Sequence, residues 1–84
     1  MEGTKYTLSY ARSDETQEFS SAPEAGAAFC RANAEDAPRV IKTTEHGAST
    51  IARTTRCNDT LVKQLPLESD PEFTEGYRAE QELR

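Results

Sequence analysis

Two short stretches of this chain, "SSAPEAG" and "SDPEFTEG", each place a proline in the first turn of a predicted helix. In the first stretch, Ser21 stands three residues before Glu24, which is the spacing of a capping box, and Pro23 lies within the first turn. A helix is therefore predicted over residues 20–33, with Phe29 as the anchor of an otherwise alanine-rich buried face.

The second stretch predicts another helix near the end of the chain. Ser69 or Asp70 supplies the N-cap, and Pro71 takes the first helical position. This helix should run from about Pro71 to about Leu83. Gly76 in its interior costs about 1 kcal/mol relative to alanine, so packing against the rest of the protein must support it.

The remaining segments carry strand patterns. Residues 5–11 alternate between large apolar and small polar side chains, as a half-buried strand does. After a turn, residues 16–20 are predicted to return as a short second strand. Residues 39–57 are rich in β-branched residues and are predicted to form a hairpin that turns at Gly47. A further strand follows over residues 61–65.

These elements predict a fold of the α+β class. They follow the order β-β-α-β-β-β-α, which favours an antiparallel sheet of four to five strands with two helices on one face. The length of 84 residues predicts one compact domain over residues 1–84. A chain this short buries only about 60% of the surface that it exposes when unfolded. Burial of surface in a partner, or in a second copy, would relieve its marginal stability.

Charge is distributed unevenly along the chain. Residues 1–38 carry a net charge of −4, residues 39–63 carry +3 and residues 64–84 carry −4, for a total of −5 at pH 7. A protein with this balance is repelled at long range by nucleic acid and by anionic membranes, and it is attracted to basic surfaces. A basic protein surface is therefore the predicted partner, and direct binding of nucleic acid is not expected.

The sequence also predicts where the protein works. It contains no apolar run of about 18 residues, so a membrane span is not expected. The N-terminal "MEGTKYTLSY" lacks the basic start and the apolar stretch of a secretory signal. A reducing cytoplasm is the predicted location, and a Cys30–Cys57 disulfide is not expected there.

No catalytic, metal or cofactor signature is present in the sequence. His46 is the only histidine, and a nucleophilic site with Cys57 and Asp59 would depend on geometry that residue types alone do not supply. Two cysteines and one histidine match no zinc spacing. The four glycines are isolated, so no phosphate-binding loop is predicted. The sequence indicates a protein that is not an enzyme and binds no cofactor or metal.

The second predicted helix separates its acidic side chains from its apolar ones. Glu72, Glu75 and Glu82 fall within an arc of about 80°, whereas Phe73 and Tyr77 share a neighbouring arc that would dock on the sheet. The predicted partner-binding residues are the acids on or just before this helix: Glu68, Asp70, Glu72, Glu75, Glu80 and Glu82.

The spacing of these acids is compatible with two interpretations. Glu72 to Glu82 spans about 15 Å along a helix axis. One strand of B-form DNA carries a charge about every 3.4 Å. The four carboxylates from Glu72 to Glu82 are spaced more widely than these phosphates, but the two spacings are of the same order. A surface that binds a basic groove is one interpretation. A solvated helix with acids placed favourably near its N-terminus is the other.

The middle of the chain offers an alternative, basic surface. Its members are the five cations between residues 39 and 63: Arg39, Lys42, Arg53, Arg56 and Lys63. Such residues on exposed strands can touch the backbone of nucleic acid. They can equally guard a sheet edge against aggregation. An exposed edge would also permit a homodimer.

Three stretches carry a resemblance to known proteins: "SYARSDETQEFSSAPEAGAAFCRA", "PRVI" and "KQLPL", which cover residues 9–65 with gaps. They resemble small proteins of bacterial plasmids, integrative elements and phages, and the acidic single-domain character is similar to that of anti-CRISPR proteins. The resemblance implies an inhibitor in the cytoplasm of a bacterial host. It would occupy the DNA-binding surface of a type I CRISPR–Cas effector complex.

Overall fold

The computed structural model describes residues 3–65 and 70–83, and it confirms the predicted α+β class and order of elements. A single 3₁₀ turn, Ala34–Asp36, is added between the first helix and the third strand. The elements are β1 (Lys5–Tyr10), β2 (Ser13–Phe19), α1 (Ala22–Arg31), β3 (Pro38–Thr44), β4 (Gly47–Cys57), β5 (Thr60–Gln64) and α2 (Pro71–Glu82).

The five strands form one antiparallel sheet in the order β2-β1-β3-β4-β5. β2 is longer than predicted and starts at Ser13, because Tyr10 pairs with Ser13 and the hairpin closes over only two residues. Gly47 has a φ of +133°, which confirms the turn predicted there. At the next turn Asn58 and Asp59 both adopt positive φ, a conformation that these two residue types tolerate better than most.

Both helices pack on the same face of the sheet, and the core lies between them. Phe29 of α1 and Phe73 of α2 are fully buried, with ring centroids 6.1 Å apart. They meet Leu8, Val40 and Ile51 from the central strands, all of which are buried as well. Phe29 is thus the anchor of α1, as its position in the alanine-rich face predicts.

The two helices cross at glycines. A Cβ atom added to Gly26 of α1 would lie 2.8 Å from the backbone nitrogen of Tyr77, and one added to Gly76 of α2 would lie 2.5 Å from the Cα of Pro23. Both separations are shorter than real Cβ contacts, so only glycine permits this approach. This close approach is the packing that compensates for the low helix propensity of Gly76.

The two helix starts are capped differently. The Asp70 carboxylate accepts a hydrogen bond from the backbone N–H of Phe73 at 3.2 Å, which confirms Asp70 as an N-cap. Ser21 occupies the N-cap position of α1, but its side chain accepts no cap hydrogen bond. Pro23 has no N–H and so removes one of the two donors that such a side chain normally uses.

Candidate functional site

Asp70 is the centre of a buried polar cluster that joins the sheet to α2. Only 6% of Asp70 is exposed. Its Oδ2 accepts hydrogen bonds from the hydroxyl of Tyr6 at 3.0 Å and from Nζ of Lys42 at 3.2 Å, while its Oδ1 caps the helix. Asp70 is among the predicted partner-binding residues, but in the structure its carboxylate is occupied by partners from the same chain.

The same cluster sets the protonation of its two donors. Burial raises the pKa of Tyr6, and the hydrogen bond to Asp70 raises it further because the neutral phenol donates that bond. Burial alone would lower the pKa of Lys42, but the hydrogen bond to Asp70 and its negative charge outweigh burial and leave the pKa raised. The ammonium of Lys42 also lies 5.8 Å from the centroid of the Tyr6 ring. Lys42 is therefore a structural cation.

Lys63 is held against the C-terminal end of α1. Its Nζ donates to the backbone carbonyls of Cys30 at 2.9 Å and Ala32 at 2.5 Å. It also lies 5.6 Å from the centroid of the Phe29 ring. A cation at this end of a helix interacts favourably with the last carbonyls and with the helix dipole. The predicted basic surface thus has two of its five members, Lys42 and Lys63, engaged within the fold.

The register of the sheet brings Arg39 and Arg53 together on the face that the helices do not cover. Val40 pairs with Ala52, and both are buried beneath the helices. Side chains alternate along a strand, so the adjoining Arg39 and Arg53 lie beside one another on the opposite face. Arg56 follows three residues later, and alternation therefore places it on the other side of β4.

A β-bulge in β4 makes this arrangement possible. Val40 pairs with Ala52 but Ile41 pairs with Thr50, which leaves Ile51 as an extra residue. Ile51 and Ala52 are consecutive and both fully buried, which regular alternation would not allow. Regular alternation resumes after the bulge, and it places Arg53 on the uncovered face of the sheet. No local sequence signal marks the bulge.

The acids of α2 divide into engaged and available groups. Glu80 forms an ion pair with Arg31 of α1 at 3.2 Å, and only 16% of the Glu80 side chain is exposed. Glu72, Glu75 and Glu82 are exposed and form no ion pair or hydrogen bond with any residue that the structure describes. Glu68 lies outside the described residues. We call Glu72, Glu75 and Glu82 the acidic face.

The opposite side of α2 docks on the rest of the protein, as predicted. Phe73 is fully buried, and the Tyr77 ring lies 5.9 Å from the Phe29 ring. Arg78 is exposed and lies three residues after Glu75 and four before Glu82, so it moderates the negative potential in the middle of the acidic face. The apolar and acidic sides of the helix are thus separate in the folded protein.

An open cleft of about 830 Å³ lies where the N-terminal ends of α1 and α2 meet the sheet. Tyr6, Lys42 and Asp70 line it, and their mutual hydrogen bonds are the contacts described above. His46 lies at the rim beside Glu45, with 3.6 Å between the imidazole and the carboxylate. The cleft therefore mixes charges of both signs.

The structure separates the residues of the conceivable nucleophilic site. His46 precedes the first residue of β4 and Cys57 is its last, so the whole 11-residue strand lies between them. At about 3.3 Å per residue that distance is on the order of 35 Å. Within residues 3–65 and 70–83, no three histidine, cysteine or acidic side chains are grouped closely enough to hold a metal ion. Cys30 and Cys57 are both free thiols.

The Tyr6–Lys42–Asp70 cluster was not anticipated from the sequence. A partial signal existed, because Tyr6 lies on the buried face of the first strand and Asp70 is an N-cap candidate, but nothing local joins Lys42 to them.

Of the helices in the described part of the chain, none has the length and apolar character needed to cross a bilayer. No protein-family model matches this chain, and the comparisons with curated proteins and with solved structures gave no match.

Proposed function

We propose that this protein acts by binding a basic protein surface through the acidic face, without carrying out chemistry. The observation that carries this proposal is the contrast within α2. Asp70 and Glu80 are engaged in ion pairs inside the molecule, whereas Glu72, Glu75 and Glu82 are exposed and have no partner among the described residues. Three like charges on one short helix are a ready complement for lysines and arginines.

The helix that carries the acidic face is anchored to the rest of the fold at two places. Its N-terminus is fixed by the Asp70 cluster, and its middle by the crossing of Gly26 and Gly76. A preorganised surface loses less conformational freedom on binding than a mobile one does. Because the carboxylates are exposed, they should act mainly on the rate of association and on specificity, and salt should weaken them.

The proposed target is the DNA-binding surface of a type I CRISPR–Cas effector complex in the cytoplasm of a bacterial host. Support for this target comes from the resemblance to anti-CRISPR proteins and from the acidic face itself, on which Glu72 and Glu75 are about 4.5 Å apart along the helix axis, close to the charge spacing of about 3.4 Å on one DNA strand. A surface that binds the DNA backbone is rich in arginine and lysine, so it offers the partner that the acidic face requires.

The test is a binding and competition experiment with a reconstituted type I effector complex. The wild-type protein should bind the complex and reduce its capture of DNA. The triple variant Glu72→Gln, Glu75→Gln, Glu82→Gln should bind at least about tenfold more weakly, mainly through slower association. A triple variant that binds as well as wild type would contradict the proposal.

A matched control separates a specific surface from a general effect of net charge. The variant Glu35→Gln, Asp36→Asn, Asp59→Asn removes the same number of charges from exposed positions outside α2. It should bind as the wild type does. Equal weakening in both triple variants would show that overall charge, and not the acidic face, governs binding.

A second candidate function is contact with the nucleic acid backbone through basic residues. The observation that favours it is the register of the sheet, which, continued one residue beyond the Val40–Ala52 pair, places Arg39 beside Arg53 on the uncovered face. Lys42 and Lys63 contribute little to it because both are engaged within the fold. This candidate predicts a DNA mobility shift at low salt that is lost in Arg39→Ala, Arg53→Ala.

A further inference from the structure

The face of the sheet opposite the helices carries a row of polar side chains that crosses all five strands. Thr16 pairs with Ser9, Ser9 with Arg39, and Arg53 with Gln64, while the Val40–Ala52 pair places Arg39 next to Arg53. At about 4.8 Å between neighbouring strands, the row is about 19 Å wide. We call this surface the open sheet face.

Arg39 and Arg53 form a like-charge pair, which destabilises an isolated sheet. Arg39 donates from Nε to the hydroxyl of Ser9 at 3.2 Å, which orients the guanidinium without neutralising it. Throughout the described parts of the chain, neither arginine has a carboxylate within ion-pair distance. An anion from another molecule would remove this repulsion.

Nucleic acid is a poor match for the open sheet face. Strands that bind single-stranded nucleic acid combine positive charge with aromatic side chains on which bases stack. All six aromatic residues of this chain lie within or against the core on the helix side. The net charge of −5 also opposes the approach of a polyanion.

The helix side of the same protein carries the opposite charge. Helices α1 and α2 together contain five acids and two arginines. Glu72 and Glu75 of the acidic face are three residues apart on a helix, which places their Cβ atoms about 5–6 Å apart. Residues side by side on adjacent strands have Cβ atoms about 4.5–5.5 Å apart, and the register continued one residue beyond the Val40–Ala52 pair gives Arg39 and Arg53 that relation. The two pairs therefore match in spacing and are complementary in charge.

We propose that the open sheet face of one copy docks on the acidic face of a second copy, with Arg39 and Arg53 paired to Glu72 and Glu75. Guanidinium groups bind carboxylates through two parallel hydrogen bonds, so each pair fixes orientation as well as charge. The two faces lie on opposite sides of the molecule, and such a contact is head-to-tail and can continue from copy to copy. A basic target that occupies the acidic face would compete with this association.

The first test is the mass of the full chain in solution, measured by sedimentation velocity over a range of concentrations. At about 100 mM salt, where charges act over about 10 Å, the long-range repulsion between two copies of net charge −5 is screened while close ion pairs persist, and the average mass should rise with concentration above the 9.3 kDa of one chain. At about 1 M salt, where charges act over only about 3 Å, the average mass should return to that of one chain. A mass of one chain at every concentration at about 100 mM salt would overturn the proposal.

The second test exchanges the charges. The variants Arg39→Glu, Arg53→Glu and Glu72→Arg, Glu75→Arg should each lose association by about tenfold or more, because like charges then face each other. An equimolar mixture of the two should associate again. The control Arg12→Glu, Arg56→Glu makes the same change in net charge at exposed positions outside the open sheet face, and it should associate as the wild type does.

The outcomes distinguish this contact from others. Association that persists in Arg39→Glu, Arg53→Glu would indicate pairing along a strand edge and would overturn the proposal, as would a mixture that fails to associate. Circular dichroism checks that each variant is folded, and Arg39→Gln, Arg53→Gln takes the place of Arg39→Glu, Arg53→Glu in the loss-of-association test if that variant is not folded. The inference does not rest on the proposed function, because Arg39→Glu, Arg53→Glu leaves the acidic face intact for the basic target.

Discussion

The ammonium nitrogen of Lys42 lies 3.2 Å from Oδ2 of Asp70, and this ion pair ties the third strand to the start of α2. The same oxygen accepts a hydrogen bond from Tyr6, so the cluster fastens α2 to β1 and β3 together. Because the acidic face lies on that helix, its position depends on this cluster.

Removal of Lys42 should destabilise the fold. Only 28% of the Lys42 side chain is exposed, so in Lys42→Met the Asp70 carboxylate keeps its burial but loses its counter-charge. We expect a loss of about 2 kcal/mol in the free energy of unfolding, as for other hydrogen bonds to charged groups. Urea denaturation measures this. The control Lys5→Met removes the exposed pair with Glu18 and should cost less than about 0.5 kcal/mol. Equal losses in the two variants would count against a structural role for Lys42.

The raised pKa values of Tyr6 and Lys42 predict a loss of stability at alkaline pH. The unfolded chain releases these protons near the ordinary pKa values of 10.0 and 10.5, whereas the folded protein retains them to higher pH. Their contribution is therefore fully present below about pH 10 and is lost as pH rises through the folded pKa values. The urea midpoint should fall above pH 10.

The variant Tyr6→Phe isolates the phenol in this pH dependence. It should lower stability at neutral pH by about 1 kcal/mol, and it should show a shallower decline above pH 10 than the wild type does. Tyr77, whose pKa is also raised by burial, contributes to the decline that remains. Tyr10→Phe is the matched control, since Tyr10 also packs against the core but its hydroxyl has no hydrogen-bond partner among the described residues, and it should leave the free energy of unfolding at neutral pH unchanged. An identical profile in Tyr6→Phe and wild type would exclude the proposed origin.

The crossing of the two helices predicts that Gly76→Ala is destabilising, although alanine is the better helix former by about 1 kcal/mol. The added Cβ would meet the backbone of Pro23, which cannot rotate away as a side chain can. We expect a net loss of about 2 kcal/mol in the free energy of unfolding. Ala79→Gly, at an exposed position of the same helix, measures the propensity effect alone and should cost about 1 kcal/mol. A gain in stability for Gly76→Ala would show that the helices do not approach this closely.

Lys63 should stabilise the end of α1. Lys63→Met leaves the carbonyls of Cys30 and Ala32 without this donor and removes a cation from the C-terminal end of the helix. A loss of about 1–2 kcal/mol is expected by urea denaturation. The control is Arg56→Met. Arg56 lies on the neighbouring strand, is exposed and has no ion pair or hydrogen bond with a described residue, so the free energy of unfolding of this variant should stay within about 0.5 kcal/mol of the wild-type value.

Local patterns predicted the elements well because each depends on neighbours in sequence. The prolines and caps mark both helix starts, and the alternation around Leu8 identifies the first strand and its buried face. The local pattern predicts the start of β2 three residues too late, because the pairing of Tyr10 with Ser13 is a property of the hairpin and not of either strand. For the same reason, no local pattern predicts the β-bulge at Ile51.

The sequence by itself determined the fold class, the order of elements and the separation of acidic from apolar residues along α2. Only the tertiary structure decided which charges remain available. Asp70 and Lys42 have the same charges whether they are solvated or buried against each other, and they are 28 positions apart, so no local pattern distinguishes the two states. Arg39 and Arg53 became neighbours through strand register and a bulge. Pairing and burial arise from contacts between distant segments, and those contacts decide which charged side chains stay exposed.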